Sequence, residues 1–103
     1  MIILDAPKLF IQPSNVTIKE GKRLELQCGG TGLPIFNITW YKDNQLITSH
    51  LTNYTDASDQ NRTGVLIITA VNATDHGIYT CVLTNEVGSV TSSTSWIDVQ
   101  CKY

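Results

Sequence analysis

The chain has 103 residues, a net charge of −2 from seven basic and nine acidic side chains, and three cysteines. That length suits one domain with a small core, and the scattered charge offers no basic patch for nucleic acid or an anionic membrane surface. The longest apolar runs, such as Val65 to Ile68, are far too short to cross a bilayer, so no direct membrane insertion by this segment is expected.

Met1-Ile2-Ile3-Leu4 runs at once into Asp5, without the basic start and long apolar stretch of a signal peptide. Met1 reads as an expression start on an excised fragment, with any export signal or anchor of the parent protein outside this segment. From there the apolar period is two, not 3.6, almost throughout. Pro13 lacks an amide donor and is expected to split the first strand into two edge pieces. Glu20-Gly21-Lys22 marks a turn, after which Leu24, Leu26 and Cys28 alternate with Glu25 and Gln27. Gly29 to Pro34 reads as the turn that follows this strand. Ile38 and Trp40 alternate with Thr39 and Tyr41, and Lys42-Asp43-Asn44-Gln45 reads as a hairpin turn. The polar stretch 49–64 is expected to hold one irregular strand near His50 to Thr55. Leu66 and Ile68 resume the alternation, Val71 to His76 suits a brief helical turn, and Tyr79, Cys81 and Leu83 are spaced by Thr80 and Val82. Asn85-Glu86-Val87-Gly88 reads as a second hairpin turn in which Gly88 is free to take a positive φ. Ile97 and Val99 flank Asp98 in the last strand. Strands with one apolar face each predict an all-β antiparallel sandwich of two sheets.

Five of the seven asparagines lie in the N-x-T acceptor pattern: Asn15, Asn37, Asn53, Asn61 and Asn72. That is more than composition would place by chance, and it points to the secretory route and an extracellular location. Cys101 falls after the last predicted strand. It is open to a bond with a neighbouring domain, a bond between molecules, or a free thiol at a cut end.

Cys28, Trp40 and Asp75-His76-Gly77-Ile78-Tyr79-Thr80-Cys81, together with Pro13, Glu20-Gly21, Leu66, Ile68, Val71, Asn85 and Gly88, carry a specific likeness. The chain resembles the intermediate-set (I-set) immunoglobulin domains of cell-surface receptors, adhesion molecules and some muscle proteins. The resemblance covers about residues 7–100, with 1–6 and 101–103 as flanking ends. It implies an immunoglobulin-like sandwich with Greek-key connections and a Cys28–Cys81 disulfide packed under Trp40. Such a bridge closes a long loop and contributes roughly 4 kcal/mol in the chain-entropy model. The alternative is a buried reduced pair, as in cytosolic relatives. Tyr79 is implied as a tyrosine corner, Gly77 as a tight turn, and Asp75 as a cap with Arg62 a candidate partner. Leu83 stands where the family usually has a small residue, and His76 where Ser or Ala is common.

Chemistry finds little purchase. His50 and His76 lack the spacing of a zinc site, and Asp56 and Asp59 lack a full calcium ligand set. No serine sits in a G-x-S-x-G elbow, and the glycine cluster precedes no helix that would cradle a phosphate. No enzyme activity, cofactor or metal is expected. Outward apolar side chains are the better candidates. If Trp40 and Cys81 point inward, alternation turns Tyr41, Val82 and Trp96 outward, where they would form a protein-binding patch. Asn37 shares that outward parity, so a glycan there would shield one end of the sheet. The leading expectation is an extracellular module of a larger receptor or adhesion protein that binds a protein partner, a second copy of itself included, beside neighbouring domains of the same chain. The rivals are a structural spacer in a multi-domain rod and a cytosolic muscle or scaffold domain.

Overall fold

The structure, a computed structural model, describes residues 4–101. Half of flanking end 1–6, residues 1–3, and two of the three residues of 101–103 therefore lie outside the described residues, as does most of the Met1–Leu4 segment. Among the described residues ten strands build two sheets. The first has the order β1 (Asp5–Ile11), β3 (Leu24–Leu33), β7 (Asn61–Ile68), β6 (Leu51–Asp56). The second has the order β2 (Val16–Lys19), β10 (Ser95–Gln100), β8 (Gly77–Thr84), β4 (Asn37–Lys42), β5 (Gln45–Leu46), with β9 (Ser89–Thr91) also paired to β8. The period-two pattern explains the layers. Leu24, Leu26 and Cys28 are buried while Glu25 and Gln27 are exposed, and Tyr79, Cys81 and Leu83 are buried on the facing sheet. A 3₁₀ turn, Ala73–Asp75, carries the chain from β7 in the first sheet to β8 in the second.

Pro13 does divide the first strand. β1 pairs antiparallel with β3, and β2 pairs parallel with β10 in the other sheet, so the break moves the chain from one sheet to the other. The Lys42–Gln45 hairpin forms with φ of 50° at Asp43 and 67° at Asn44, the doubly left-handed turn that matches strand twist. The irregular strand near His50 to Thr55 is β6, which pairs with β7 and is exposed throughout.

Three expectations need correction. The run from Gly29 is not a turn, because β3 continues through Leu33 and the break falls at Pro34 after a cis Leu33–Pro34 bond. The glycines serve close approach. A Cβ at Gly30 would lie 1.8 Å from the Lys8 carbonyl oxygen, and one at Gly29 would lie 2.7 Å from that of Arg62. Neighbouring strands press on this backbone from both sides. Gly88 does not take a positive φ; the positive-φ glycines among the described residues are Gly21 and Gly77. That hairpin is held instead by Asn85, whose Oδ1 accepts from the Val87 and Gly88 amides at 2.9 and 3.2 Å. Arg62 is not the partner of Asp75. Its guanidinium donates twice to Asp56, at 2.6 and 3.1 Å, and once to the Phe36 carbonyl.

Candidate functional site

The core frame aims everything outside it. Cys28 and Cys81 are bonded across the two sheets, 53 positions apart in sequence with Cα atoms 6.5 Å apart. Trp40 is in register with Cys81 and only 2% exposed, within the same apolar cluster as both cysteines. Tyr79 is fully buried, and its hydroxyl donates to the Asp75 carbonyl at 2.5 Å. Burial pushes that hydroxyl well above its ordinary pKa, with the Asp75 and Asp43 charges adding to the effect. Asp75 accepts from the Asn72 amide at 2.9 Å and faces His50 Nε2 at 3.2 Å. The larger Leu83 is accommodated. Its cross-strand partner Ile38 rests on the bare backbone of Gly64, where a Cβ would come within 2.8 Å.

With that frame pointing inward, the outer face of the second sheet follows by parity. Trp96 is 46% exposed and paired with Ile78, which is 37% exposed. Tyr41 is half-buried between Thr80 on β8 and Leu46 on β5, and Leu46 is 56% exposed. Trp96, Ile78, Tyr41 and Leu46 therefore run as one apolar stripe across four strands. Val82 also faces outward, paired with Thr39 and Thr91. It is a diagonal neighbour of Tyr41 but four residues from Ile78, about 13 Å at 3.3 Å per residue. So Tyr41 joins the two other expected residues, while Val82 and Trp96 stand at opposite ends. Ile78 and Leu46 were missed by sequence reasoning. Alternation from Tyr79 carries the signal for Ile78; Leu46 needs the hairpin register. Charge on this face is sparse: Asp98 lies 3.8 Å from His76 Nδ1, and His76 meets the Trp96 ring edge-to-face at 5.3 Å.

The acceptor asparagines are spread over the surface. Asn53 and Asn61 lie on β6 and β7 with outward parity on the first sheet. Asn37 opens β4, exposed, at the end of the second sheet remote from Trp96. Asn72 caps the 3₁₀ turn, its Oδ1 accepting from the Thr74 amide at 3.0 Å. Asn15 precedes β2, and its Oδ1 accepts from the Trp96 amide at 2.9 Å.

A shallow cleft of about 400 Å³ opens beside the 3₁₀ turn, lined by Lys42, Leu46, His50, Asn72, Thr74 and Asp75. Within it Lys42 Nζ donates to the Thr74 carbonyl, and His50 pairs with Asp75. Among the described residues no three histidine, cysteine or carboxylate groups converge on a metal position. Cys101 is exposed and free.

The family model described as the immunoglobulin I-set domain matches residues 7–96. The chain belongs to the immunoglobulin I-set family. The I-set domain is 36% identical over 90 residues to vascular endothelial growth factor receptor 3 of Danio rerio, a match covering 87% of this chain and 6% of that protein. It is 37% identical over 87 residues to Protein sidekick of Drosophila melanogaster, covering 82% of this chain and 4% of that protein. Among solved structures, a chimeric titin Z1Z2 superposes with a TM-score of 0.82 at 28% identity, covering 97% of this chain and 100% of that one. A receptor and titin thus share the fold, and the I-set domain spans only a small part of the curated relatives it matches.

Proposed function

We propose that this I-set domain is a non-catalytic, extracellular protein-recognition module of a larger receptor or adhesion protein. It presents the outer face of its second sheet to a protein partner, a second copy being one such partner. The observation that carries this reading is the stripe of Trp96, Ile78, Tyr41 and Leu46, in which Trp96, Ile78 and Leu46 are exposed and Tyr41 is half-buried, on the outer face of the second sheet. Interface centres have that composition, enriched in Trp and Tyr and poor in charge. Extracellular placement draws support from the five acceptor sequences and the Cys28–Cys81 bond, since disulfides persist in oxidising compartments.

The spacer reading has one observation in its favour. Asp5 lies beside Asn85 at one pole of the sandwich, and Gln100 lies beside Glu20 at the other, so flanking modules would attach at opposite ends. Surface display of the parent protein, with Tyr41→Ala and Trp96→Ala in this domain, separates the two. A recognition face loses partner binding with both substitutions while display is unchanged; a spacer tolerates both.

A further inference from the structure

Asn15 and Trp96 stand side by side at one edge of the recognition face. Val16 and Ile97 are partners in the parallel register and both pack toward the core. The residues just before them, Asn15 and Trp96, therefore share the outer side. The backbone N–H of Trp96 donates to Asn15 Oδ1 at 2.9 Å, which fixes the direction of the asparagine amide. On the β8 side the indole meets the His76 ring, and Trp96 stands in register with Ile78. Asn15 occupies the flank toward β2, and Asn15-Val16-Thr17 is one of the five acceptor sequences.

We infer that the first N-acetylglucosamine of a glycan on Asn15 seats against the Trp96 indole, so that glycosylation at Asn15 decides whether the Trp96 end of the stripe is open to a partner. The sugar is attached through Nδ2, whereas the hydrogen bond to Trp96 uses Oδ1, so linkage and bond coexist. The pyranose ring carries a side of axial C–H groups. Their partial positive charge suits the negative π-face of an indole, and the contact removes apolar ring surface from water. The inference rests on the extracellular reading, because only a chain on the secretory route receives this sugar.

The test uses the domain secreted from eukaryotic cells, with peptide mapping to read occupancy at each asparagine. Trp40 is buried against the disulfide, so acrylamide quenching of tryptophan emission reports Trp96. The comparison is between protein glycosylated at Asn15, the same protein trimmed to a single linked sugar, and Thr17→Ala, which removes the acceptor pattern and keeps the Asn15 bond. A sugar covering one face of the ring should lower the quenching constant by roughly half relative to Thr17→Ala, in both the full and the trimmed forms. Equal quenching with Asn15 occupied, protection lost on trimming, or an empty Asn15 beside other occupied sites overturns this inference alone. Secreted protein with no sugar at any of the five sites overturns the extracellular reading beneath it.

Discussion

Tyr79 and Asp75 are tied by a hydrogen bond from a buried phenol to a backbone carbonyl four residues earlier, 2.5 Å long. The same Asp75 carboxylate caps the 3₁₀ turn through the Asn72 amide. One short segment thus fixes both the entry to β8 and the inward direction of Tyr79, and that direction sets the outward parity of Ile78 and Thr80. Tyr79→Phe keeps the ring and removes the hydroxyl. It leaves a carbonyl without its partner and should cost about 1–3 kcal/mol. Urea unfolding is the check, with a lower midpoint and an unchanged slope expected.

The two tryptophans should behave as opposites. Trp40→Ala empties a core site against the disulfide and should cost about 3–5 kcal/mol. Trp96→Ala alters an exposed side chain and should stay within about 0.5 kcal/mol of the parent. Thermal and urea unfolding of both variants decide this.

Gly30→Ala forces a Cβ onto the Lys8 carbonyl and must lift β1 from β3. A loss of about 3 kcal/mol is expected, at the upper end for overpacking. Hydrogen exchange should locate the damage in the β1 and β3 amides, with the second sheet still protected.

Arg62 holds the Asp56 carboxyl below its ordinary pKa, chiefly through the hydrogen bonds between them, and stacks on Tyr54 with its Cζ 4.1 Å from the ring centroid. A carboxylate whose folded pKa is depressed stabilises the fold above its unfolded value of 3.8 and loses that contribution as pH falls through the folded value. Asp56→Asn should therefore flatten the acid limb of stability in that window and change little near neutrality beyond a small constant offset. Urea midpoints followed from about pH 5 to pH 2 test the sign.

Much of the frame was legible because burial imposes a period of two on Leu24, Leu26 and Cys28 and on Tyr79, Cys81 and Leu83. Pro13 was legible too, since a missing donor breaks a strand wherever it falls. The glycine run was misread for a physical reason. Glycine signals both conformational freedom and close approach, and only the positions of Lys8 and Arg62 separate the two. Arg62 could not be assigned because Asp56 reaches it through the β6–β7 pairing, which the polar composition of that stretch does not announce. The stripe was half legible. Parity gave Tyr41 and Trp96, but their continuity depends on Ile78 and Leu46, whose neighbours are set by cross-strand register.

The recognition face is tested most directly by partner affinity of the intact parent protein carrying Tyr41→Ala and Trp96→Ala together, beside Glu25→Ala on the opposite sheet as control. Buried aromatic anchors cost about 2 kcal/mol or more each on truncation, so the expected result is a fall in affinity of more than about tenfold with secretion and unfolding midpoint retained. Undiminished affinity in the double variant, or an equal loss in Glu25→Ala, would contradict it.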